Sequence, residues 1–246
     1  MMTAIRGYAY EENNIVEFPG TQKRKPGGGR PCEVFAVRRE EDIRKIQRYF
    51  IQHEQYRNYL YVVMGVNLGL RGSDMVKLAW SDVMHRDGTF KTMQECFVKE
   101  KKTGKTRYLV LRDDVKQTIR MYLALTDIKP NFDDPKDPDY YIFKKLKQNP
   151  HYDGLPYISR ASIGDCFKSA ARAVGIPYRV NTHSLRKTFG YRFFKQTKDI
   201  VALQKIFNHS SPAITLRYIG ILDEDIASDI NSMSSVVEFL SDGSDD

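Results

Sequence analysis

Cysteine is scarce in this sequence, and long apolar runs are absent. The three cysteines, Cys32, Cys96 and Cys166, are odd in number and far apart, so neither a disulfide framework nor a close-spaced zinc site is available, and we expect buried, reduced thiols. No apolar run approaches the roughly 18 to 20 residues that a bilayer-spanning helix needs. Residues 1–14 also lack the charged and then apolar pattern of a signal peptide. These absences predict a soluble, cytoplasmic protein.

Acidic residues are few outside the C-terminal end. The chain has 39 Lys and Arg against 31 Asp and Glu, a net charge of +8. Residues 222–246 hold eight acids and no Lys or Arg, so residues 1–221 carry +16. A field of that sign concentrates phosphates and supplies the sequence-independent part of nucleic-acid affinity. Charge alone leaves open an ordinary basic protein.

Residues 1–35 differ in composition from the rest of the chain. Residues 23–31 read Lys-Arg-Lys-Pro-Gly-Gly-Gly-Arg-Pro, which combines positive charge with residues that do not sustain a helix. We interpret this region as a basic flexible arm, with an unspecialised flexible terminus as the alternative. An arm of this kind beside a basic domain is suited to following DNA phosphates.

Residues 36–221 show the spacing of a mostly helical domain with a small antiparallel β-sheet, an α+β fold. Apolar periodicity predicts helices over residues 38–52, 56–70, 113–125, 159–174, 181–196 and 200–207, and the Pro- and Asp-rich residues 129–138 predict a surface loop. Between residues 90 and 111, β-forming residues flank Lys-Lys-Thr-Gly-Lys. This pattern predicts a hairpin with a basic tip.

The C-terminal region, residues 222–246, is acidic but carries an apolar stripe. Its apolar residues recur at helical spacing, which predicts an amphipathic helix: Leu222, Ile226, Ile230, Met233 and Val237. The apolar face has two possible partners, the chain's own domain or another subunit.

One short motif opens a predicted helix. Residues 181–186 read Asn-Thr-His-Ser-Leu-Arg, in which Asn or Thr caps the helix. His183 and Arg186, three positions apart, then share one face near the positive end of the helix dipole, which attracts anions. Such a pair occurs by chance in many basic proteins, so its context decides its meaning.

Other motifs supply that context. Residues 69–74 read Gly-Leu-Arg-Gly-Ser-Asp, residues 102–104 read Lys-Thr-Gly, residues 208–211 read Asn-His-Ser-Ser, and Arg217 precedes Tyr218. Together with residues 181–186, and in this order on helix, hairpin and helix, they resemble the tyrosine recombinase, or phage integrase, family. The resemblance covers residues 38–221.

This resemblance implies a recombinase catalytic domain with a complete active site. Its six positions are Arg71, Lys102, His183, Arg186, His209 and Tyr218. A complete set implies an active, site-specific DNA recombinase or integrase, of the kind carried by mobile genetic elements, rather than a decayed relative.

The side chains themselves suit phosphoryl transfer. Two guanidiniums, Arg71 and Arg186, fit the non-bridging oxygens of a phosphodiester under attack. Tyr218 is the nucleophile, and because a phenol has a pKa of about 10 it needs a base or a cationic environment. We assign His183 as that base and His209 as a hydrogen-bond donor to the phosphate.

A lysine on the hairpin tip can protonate the departing 5′-hydroxyl, and we prefer Lys102 among its neighbours. Asp74, three residues after Arg71, is a candidate for orienting that arginine, with helix capping as the alternative. Candidate DNA-binding residues are Lys23, Arg24, Lys25, Arg30, Lys101, Lys105 and Lys187.

The expected chemistry passes through a 3′-phosphotyrosyl intermediate. Each step exchanges one phosphoester for another, so we expect neither ATP nor a metal or other cofactor to be required. The sequence has no Walker loop and no carboxylate cluster at metal spacing.

The chain departs from most members of the family in one respect. Only 70 residues precede Arg71, too few for the separate core-binding domain of those members. The chain is therefore similar in plan to single-domain recombinases of the fimbrial-inversion type, with a truncated chain as the alternative. The resemblance implies a homo-oligomer on double-stranded DNA, a tetramer joined by exchange of residues 222–246, with DNA-bending accessory proteins as possible partners.

Two other functions remain open at this point. A type IB topoisomerase shares the attack by tyrosine but reseals the same strand. A DNA-binding regulator could keep the fold without catalysis, although it predicts a broken active site.

Overall fold

Helices make up most of the described structure, a computed structural model that covers residues 8–11, 14–17, 34–101, 104–146, 154–221, 225, 227 and 230–234. They are α1 (Glu40–Gln52), α2 (Tyr56–Leu68), α3 (Gly72–Met75), α4 (Trp80–Val83), α5 (Asp113–Ala124), α6 (Arg160–Ala173), α7 (Thr182–Thr197), α8 (Ile200–Phe207) and α9 (Pro212–Ile219). Strands β1 (Tyr8–Glu11) and β2 (Asn14–Glu17) form one antiparallel hairpin, and β3 (Phe97–Lys99) and β4 (Thr106–Tyr108) form another. The predicted mostly helical fold with a small antiparallel sheet is confirmed.

Helix α2 is the centre of the fold. It is apolar on nearly every side, with each residue from Leu60 to Val66 buried, so neighbouring helices must cover it all round. Helices α1, α5, α6 and α7 pack against it. The helix ends at Gly69, whose φ of 58° lies in the left-handed region that glycine adopts without strain. This turn leads the chain directly into Arg71.

A smaller core lies at the C-terminal end of the described domain. Leu203 and Phe207 of α8 and Ile219 of α9 are buried together, and aromatic side chains of α7, including Phe189 and Phe193, pack against them. This cluster holds α8 and α9 on α7. The positions of His209 and Tyr218 therefore depend on it.

The β3–β4 hairpin has an unusual inward face. Residues 96, 98 and 100 alternate inward from one strand, and residues 107, 109 and 111 from the other. Near the tip this places Glu100 and Arg107 inside, whereas Phe97 and Tyr108 face outward, 48% and 56% exposed. Because buried charges need partners, the inward pair indicates a polar site beneath the hairpin.

The six predicted helices correspond to α1, α2, α5, α6, α7 and α8, whereas the short helices α3, α4 and α9 were not predicted. Ile43, Ile46 and Phe50 are buried on α1 as their spacing predicts, but Ile51 is 41% exposed because it lies beside this stripe rather than on it. Residues 129–138 form the expected surface loop.

The hairpin of β1 and β2 lies within the region interpreted as a flexible arm, where no regular element was expected. Lys23, Arg24, Lys25 and Arg30 lie outside the described residues.

The chain beyond α9 returns to its own domain at one described position. Asp225 lies 3.4 Å from Nη1 of Arg38 and 3.8 Å from Nζ of Lys195. Residues 225, 227, 230 and 231 are helical, and Ile230 and Met233 are 60% and 72% exposed. The other apolar positions of the predicted stripe, Leu222, Ile226 and Val237, are outside the described residues.

Two expectations about side chains and membranes can be compared with the described part of the chain. Cys96 is a buried free thiol, Cys166 is half-buried and free, and Cys32 lies outside the described residues. Where the chain is described, it forms no helix with the length and hydropathy to cross a bilayer.

Candidate active site

The N-terminus of α7 is held by its first residues. The Asn181 side chain accepts a hydrogen bond from the backbone N–H of His183 at 2.7 Å, and the Asn181 N–H donates to Oγ of Ser184 at 3.1 Å. This reciprocal cap satisfies N–H groups that a helix start leaves free. The predicted cap is confirmed. It fixes where α7 begins and therefore where His183 and Arg186 lie on the helix.

Arg186 joins three parts of the site. It is 2% exposed, and it donates from Nη1 to the carbonyl oxygen of Gly69 at 2.8 Å and from Nη2 to that of Phe207 at 3.1 Å. Its guanidinium lies 4.3 Å from the centroid of the Phe207 ring. It therefore connects α7 to the turn before Arg71 and to the turn before His209.

Arg71 and Arg186 converge on one buried carboxylate. Arg71, at the start of α3, donates from Nη1 to Oε2 of Glu100, which is 2% exposed. The other oxygen of Glu100 lies 3.8 Å from Nη1 of Arg186 and 3.9 Å from Nη1 of Arg107. Three guanidiniums against one carboxylate leave a net positive cluster, which can accept a second anion.

Arg107 is a member of this cluster that the sequence analysis missed. It lies on β4, faces inward, and donates to the carbonyl oxygens of Leu68 and Gly69. Burial, and next the neighbouring Arg186, lower the pKa of Arg107 to about 10, and Glu100 opposes this shift. Arg107 is therefore charged at neutral pH.

His183 lies beside another arginine. Its Nε2 is 3.4 Å from Nη1 of Arg160, the first residue of α6. Burial lowers the pKa of His183 below its usual 6.5, and the positive charges of Arg160 and Arg186 lower it further. The imidazole is thus neutral at pH 7, the state in which it can take a proton.

His209 and Tyr218 pack edge to face. Their ring centroids are 5.2 Å apart at an interplanar angle of 74°. Nδ1 of His209 lies 3.0 Å from Oγ1 of Thr215, a fully buried hydroxyl one turn before Tyr218 on α9. Their nine-residue separation in sequence therefore becomes a direct contact.

The environment of the Tyr218 phenol works in two directions. Burial raises the pKa of Tyr218 above 10, while the charges of Arg186 and Arg71 oppose the rise. The phenol is protonated at neutral pH in this structure. The two arginines are close enough to stabilise a phenolate once a proton acceptor is available.

The hairpin lysines approach the site from the sheet side. Lys105 donates from Nζ to Oδ1 of Asn208 at 2.8 Å, next to His209. Lys101 is exposed, and its backbone N–H donates to Asp74. Nζ of Lys187 lies 5.5 Å from the Tyr218 ring centroid. Lys102 lies outside the described residues, so its predicted role stays a prediction.

Asp74 has a different partner from the one expected. Its Oδ1 accepts from the backbone N–H of Lys101 at 3.3 Å, so it contacts the hairpin, and the acid that pairs with Arg71 is Glu100. Asp74 is 8% exposed and faces away from solvent. The reason for the difference is geometric, because the hairpin places Glu100 between the arginines while Asp74 reaches the hairpin backbone.

Four residues of the site were not anticipated from the sequence: Glu100, Arg107, Arg160 and Thr215. For two of them the sequence holds a partial signal, because strand alternation places Glu100 on the same face as Cys96 and Arg107 on the same face as Leu109, although it does not show that this face is the buried one. The contacts of Arg160 and Thr215 depend on helix packing and left no such signal. Among the described residues, no group of three or more His, Cys, Asp or Glu side chains could hold a metal ion.

The fold is that of a tyrosine recombinase catalytic domain. The crystal structure of XerA recombinase superposes with a TM-score of 0.60 at 21% identity, over 84% of this chain and 66% of that one. A post-cleavage complex of XerH recombinase with its palindromic difH substrate superposes with a TM-score of 0.59 at 15% identity, over 81% and 54% of the two chains. This chain thus spans less than two thirds of either structure.

The chain belongs to the phage integrase family, whose model matches residues 37–224. A probable integrase/recombinase of Bacillus subtilis (strain 168), YoeC, is 38% identical over 192 residues, which cover 78% of this chain and 92% of that protein. Members of this family are tyrosine recombinases, enzymes of DNA strand cleavage and rejoining. The family predicted from the motifs is confirmed.

Proposed function

We propose that this chain is a site-specific DNA recombinase that cleaves and rejoins strands through a covalent 3′-phosphotyrosyl intermediate. The observation that carries this proposal is the position of Tyr218. It packs against His209, and its phenol lies within the electrostatic reach of Arg186 and Arg71. A protonated nucleophile beside a cluster of positive charge, with the neutral imidazole of His183 to take its proton, is the arrangement that attack on a phosphodiester needs.

In the first step the Tyr218 oxygen attacks the scissile phosphorus. The phenol proton passes to His183, which is neutral at pH 7, and the Arg71 and Arg186 guanidiniums hold the non-bridging oxygens as their charge increases. The bond to the 5′-oxygen breaks, and Lys102 donates a proton to that oxygen. The products are a 3′-phosphotyrosyl enzyme and a free 5′-hydroxyl.

In the second step a 5′-hydroxyl of the partner strand attacks the phosphotyrosine. The same groups act in reverse, so Tyr218 leaves as a phenol. Because each step exchanges one phosphoester for another, the bond energy is kept in the intermediate. We therefore expect cleavage and rejoining to proceed in EDTA and without ATP.

The hairpin and the positive body extend this proposal to the DNA. Lys105 and Lys187 lie next to His209 and Tyr218, and Lys101 is exposed on the hairpin. We assign all three to phosphates next to the scissile one. We assign the basic residues 23–30 to backbone contacts away from the active site. DNA-bending accessory proteins would then assist in shaping the site.

We further propose a tetramer on DNA in which residues beyond 221 dock on a neighbouring subunit. Exposed Ile230 and Met233 supply an apolar face for such a contact, and the acidic composition of this region suits the basic body of another copy. Deleting residues 222–246 should abolish recombination. Full recombination by this truncated form would contradict the proposed exchange.

The proposed nucleophile is tested by trapping the intermediate. The protein is mixed with a pool of nicked duplexes of random sequence, in which the short cleaved fragment diffuses away, and covalent adducts are separated on denaturing gels. We expect an adduct with the parent protein and none with Tyr218→Phe. Tyr108→Phe, which removes an exposed hydroxyl from β4, is the matched control and should retain the adduct.

Two other results would change the assignment. An adduct formed by Tyr218→Phe would show that another residue is the nucleophile. Relaxation of supercoiled DNA without any recombinant product from the recovered sequences would favour topoisomerase activity over strand exchange.

A further inference from the structure

Glu100 is a buried acid placed among three arginines. Its side chain is 2% exposed, one oxygen accepts from Arg71, and the other lies 3.8 Å from Arg186 and 3.9 Å from Arg107. A carboxylate is costly to bury unless it is paired. Its position beneath the hairpin therefore depends on the arginines, and the three like charges depend on it in turn.

The three arginines do not depend on Glu100 equally. Arg186 is also held by the carbonyl oxygens of Gly69 and Phe207. Arg107 is also held by carbonyl oxygens at the end of α2. For Arg71, the side-chain hydrogen bond that the described residues supply is the one to Glu100. Loss of Glu100 should thus displace Arg71 more than the other two.

The backbone of Glu100 is itself fixed. Its N–H donates to the carbonyl oxygen of Lys105 at 3.0 Å, and its carbonyl oxygen accepts from the N–H of Gly104 at 2.8 Å. The next residue, Lys101, is tied to Asp74. The carboxylate is therefore carried on a residue whose N–H and carbonyl oxygen are both held by hydrogen bonds, which suits a group that orients another.

We propose that Glu100 is the positioning residue of Arg71, and that it aims the free N–H groups of this guanidinium at one non-bridging oxygen of the scissile phosphate. The proposal rests on the proposed function. Glu100 touches no reacting atom in this scheme. It binds one edge of the guanidinium and leaves the rest of the fork for the phosphate.

Methylphosphonate substrates provide the test. In these duplexes a methyl group replaces one non-bridging oxygen at the scissile position, so the transition state carries one negative charge less and an arginine aimed at that oxygen loses its partner. Two diastereomers exist, one for each oxygen. Arg71→Ala, assayed on the normal phosphodiester and on each diastereomer, identifies the oxygen that Arg71 binds, because its defect should be smallest where that oxygen is missing.

Glu100→Ala should reproduce this pattern. Since misplacing a preorganised group by about 1 Å can cost roughly 10²-fold in rate, we expect a loss of about tenfold or more on the phosphodiester. On the diastereomer that spares Arg71→Ala, the loss should fall below about threefold. Glu100→Gln retains an acceptor oxygen and should lie between the parent and Glu100→Ala.

The matched control is Glu41→Ala. Glu41 also pairs with two arginines, Arg44 and Arg48, but it does so on the exposed face of α1, so this variant should cleave all substrates at the parent rate. Melting temperatures of all variants are recorded. A general loss of folded protein lowers the rate on all three substrates by the same factor, whereas loss of Arg71 positioning does not.

The outcomes separate this inference from the proposed function. If the parent forms no adduct at Tyr218, the proposed function fails. If the parent forms the adduct and the cleavage rate of Glu100→Ala falls by the same factor on all three substrates, Glu100 does not position Arg71. The same conclusion follows if Glu100→Ala cleaves the phosphodiester as fast as the parent or faster. Arg186→Ala is assayed on the same three substrates. If the rate of Glu100→Ala is spared on the diastereomer that spares Arg186→Ala, and not on the one that spares Arg71→Ala, the assignment is also wrong.

Discussion

Nη1 of Arg186 donates to the carbonyl oxygen of Gly69 at 2.8 Å, and this hydrogen bond joins residues 117 positions apart in the chain. Gly69 ends α2 in the left-handed conformation, and Arg71 follows two residues later. This contact therefore holds Arg186 close to Arg71, and these are the two arginines proposed to bind the non-bridging oxygens of the scissile phosphate. It also makes the site depend on the packing of α7 against α2.

Arg186→Lys should impair both folding and cleavage. Lysine keeps the charge, but it cannot donate in two directions to Gly69 and Phe207 while lying on the Phe207 ring. We expect a loss of about 1–3 kcal/mol in the free energy of unfolding and roughly 10²-fold in single-turnover cleavage. Urea unfolding and adduct formation measure the two effects. The exposed Arg172→Lys is the control, and parent-like values for Arg186→Lys would contradict the prediction.

Thr215→Val should affect cleavage through His209. The buried Thr215 hydroxyl donates to the carbonyl oxygen of Ser211 at 3.2 Å, so its oxygen is the acceptor for an Nδ1–H of His209, 3.0 Å away, and this contact holds the His209 ring in place beside Tyr218. Loss of one such hydrogen bond is worth about 1 kcal/mol, so we expect a rate reduction of roughly five- to tenfold. Thr215→Ser keeps the hydroxyl and should keep the rate. Equal rates for Val and Ser at this position would show that His209 needs no such partner.

The stability of the protein should depend on pH through His183. Because burial and Arg160 hold its folded pKa below the usual 6.5, the unfolded chain binds the proton first as the pH falls. The free energy of unfolding should therefore decrease as the pH falls through 6.5 and into the range below it. His183→Gln should remove this part of the slope in urea unfolding between pH 8 and pH 5, whereas exposed His53→Gln should not. An unchanged slope in His183→Gln would contradict the lowered pKa.

Gly190→Ala should displace the helix that carries Tyr218. A Cβ at this position of α7 would meet Ile219 at 2.6 Å and Phe207 at 2.7 Å, inside the small C-terminal core. Overpacking of this kind costs about 1–3 kcal/mol, and adduct formation should fall with it. Gly164→Ala on α6 is the control, since its Cβ would meet only Thr182 at 3.6 Å. Similar stabilities for the two variants would indicate that α9 can move without cost.

Much of the fold could be read from local patterns. The apolar stripe of Ile43, Ile46 and Phe50 correctly predicted α1, and the uniformly apolar stretch after Tyr56 correctly predicted the central helix, α2. Asn181 predicted the start of α7 correctly, because a helix cap is an interaction between neighbouring residues. The hairpin between residues 90 and 111 followed from its β-forming residues, but the direction of its faces did not, since exposed Phe97 and Tyr108 are more apolar than inward-facing Glu100 and Arg107.

The contacts of the site were harder to predict. Asp74 lies close to Arg71 in sequence and was the expected partner, yet Arg71 pairs with Glu100, 29 residues away. Arg160 meets His183 only because α6 packs beside α7. Such pairs are set by the geometry between elements, and a single sequence does not encode that geometry in a spacing that can be read.

By itself, the sequence determined the family, the helical character of the fold and the residue types of the proposed chemistry, because motifs, caps and apolar periodicity act over a few neighbouring residues. Only the tertiary structure decided which carboxylate holds which arginine, which histidine touches Tyr218 and which face of the hairpin is buried. Those choices depend on the simultaneous packing of α2, α7, α9 and the hairpin, where a buried charge is tolerated only if distant parts of the chain bring it a partner.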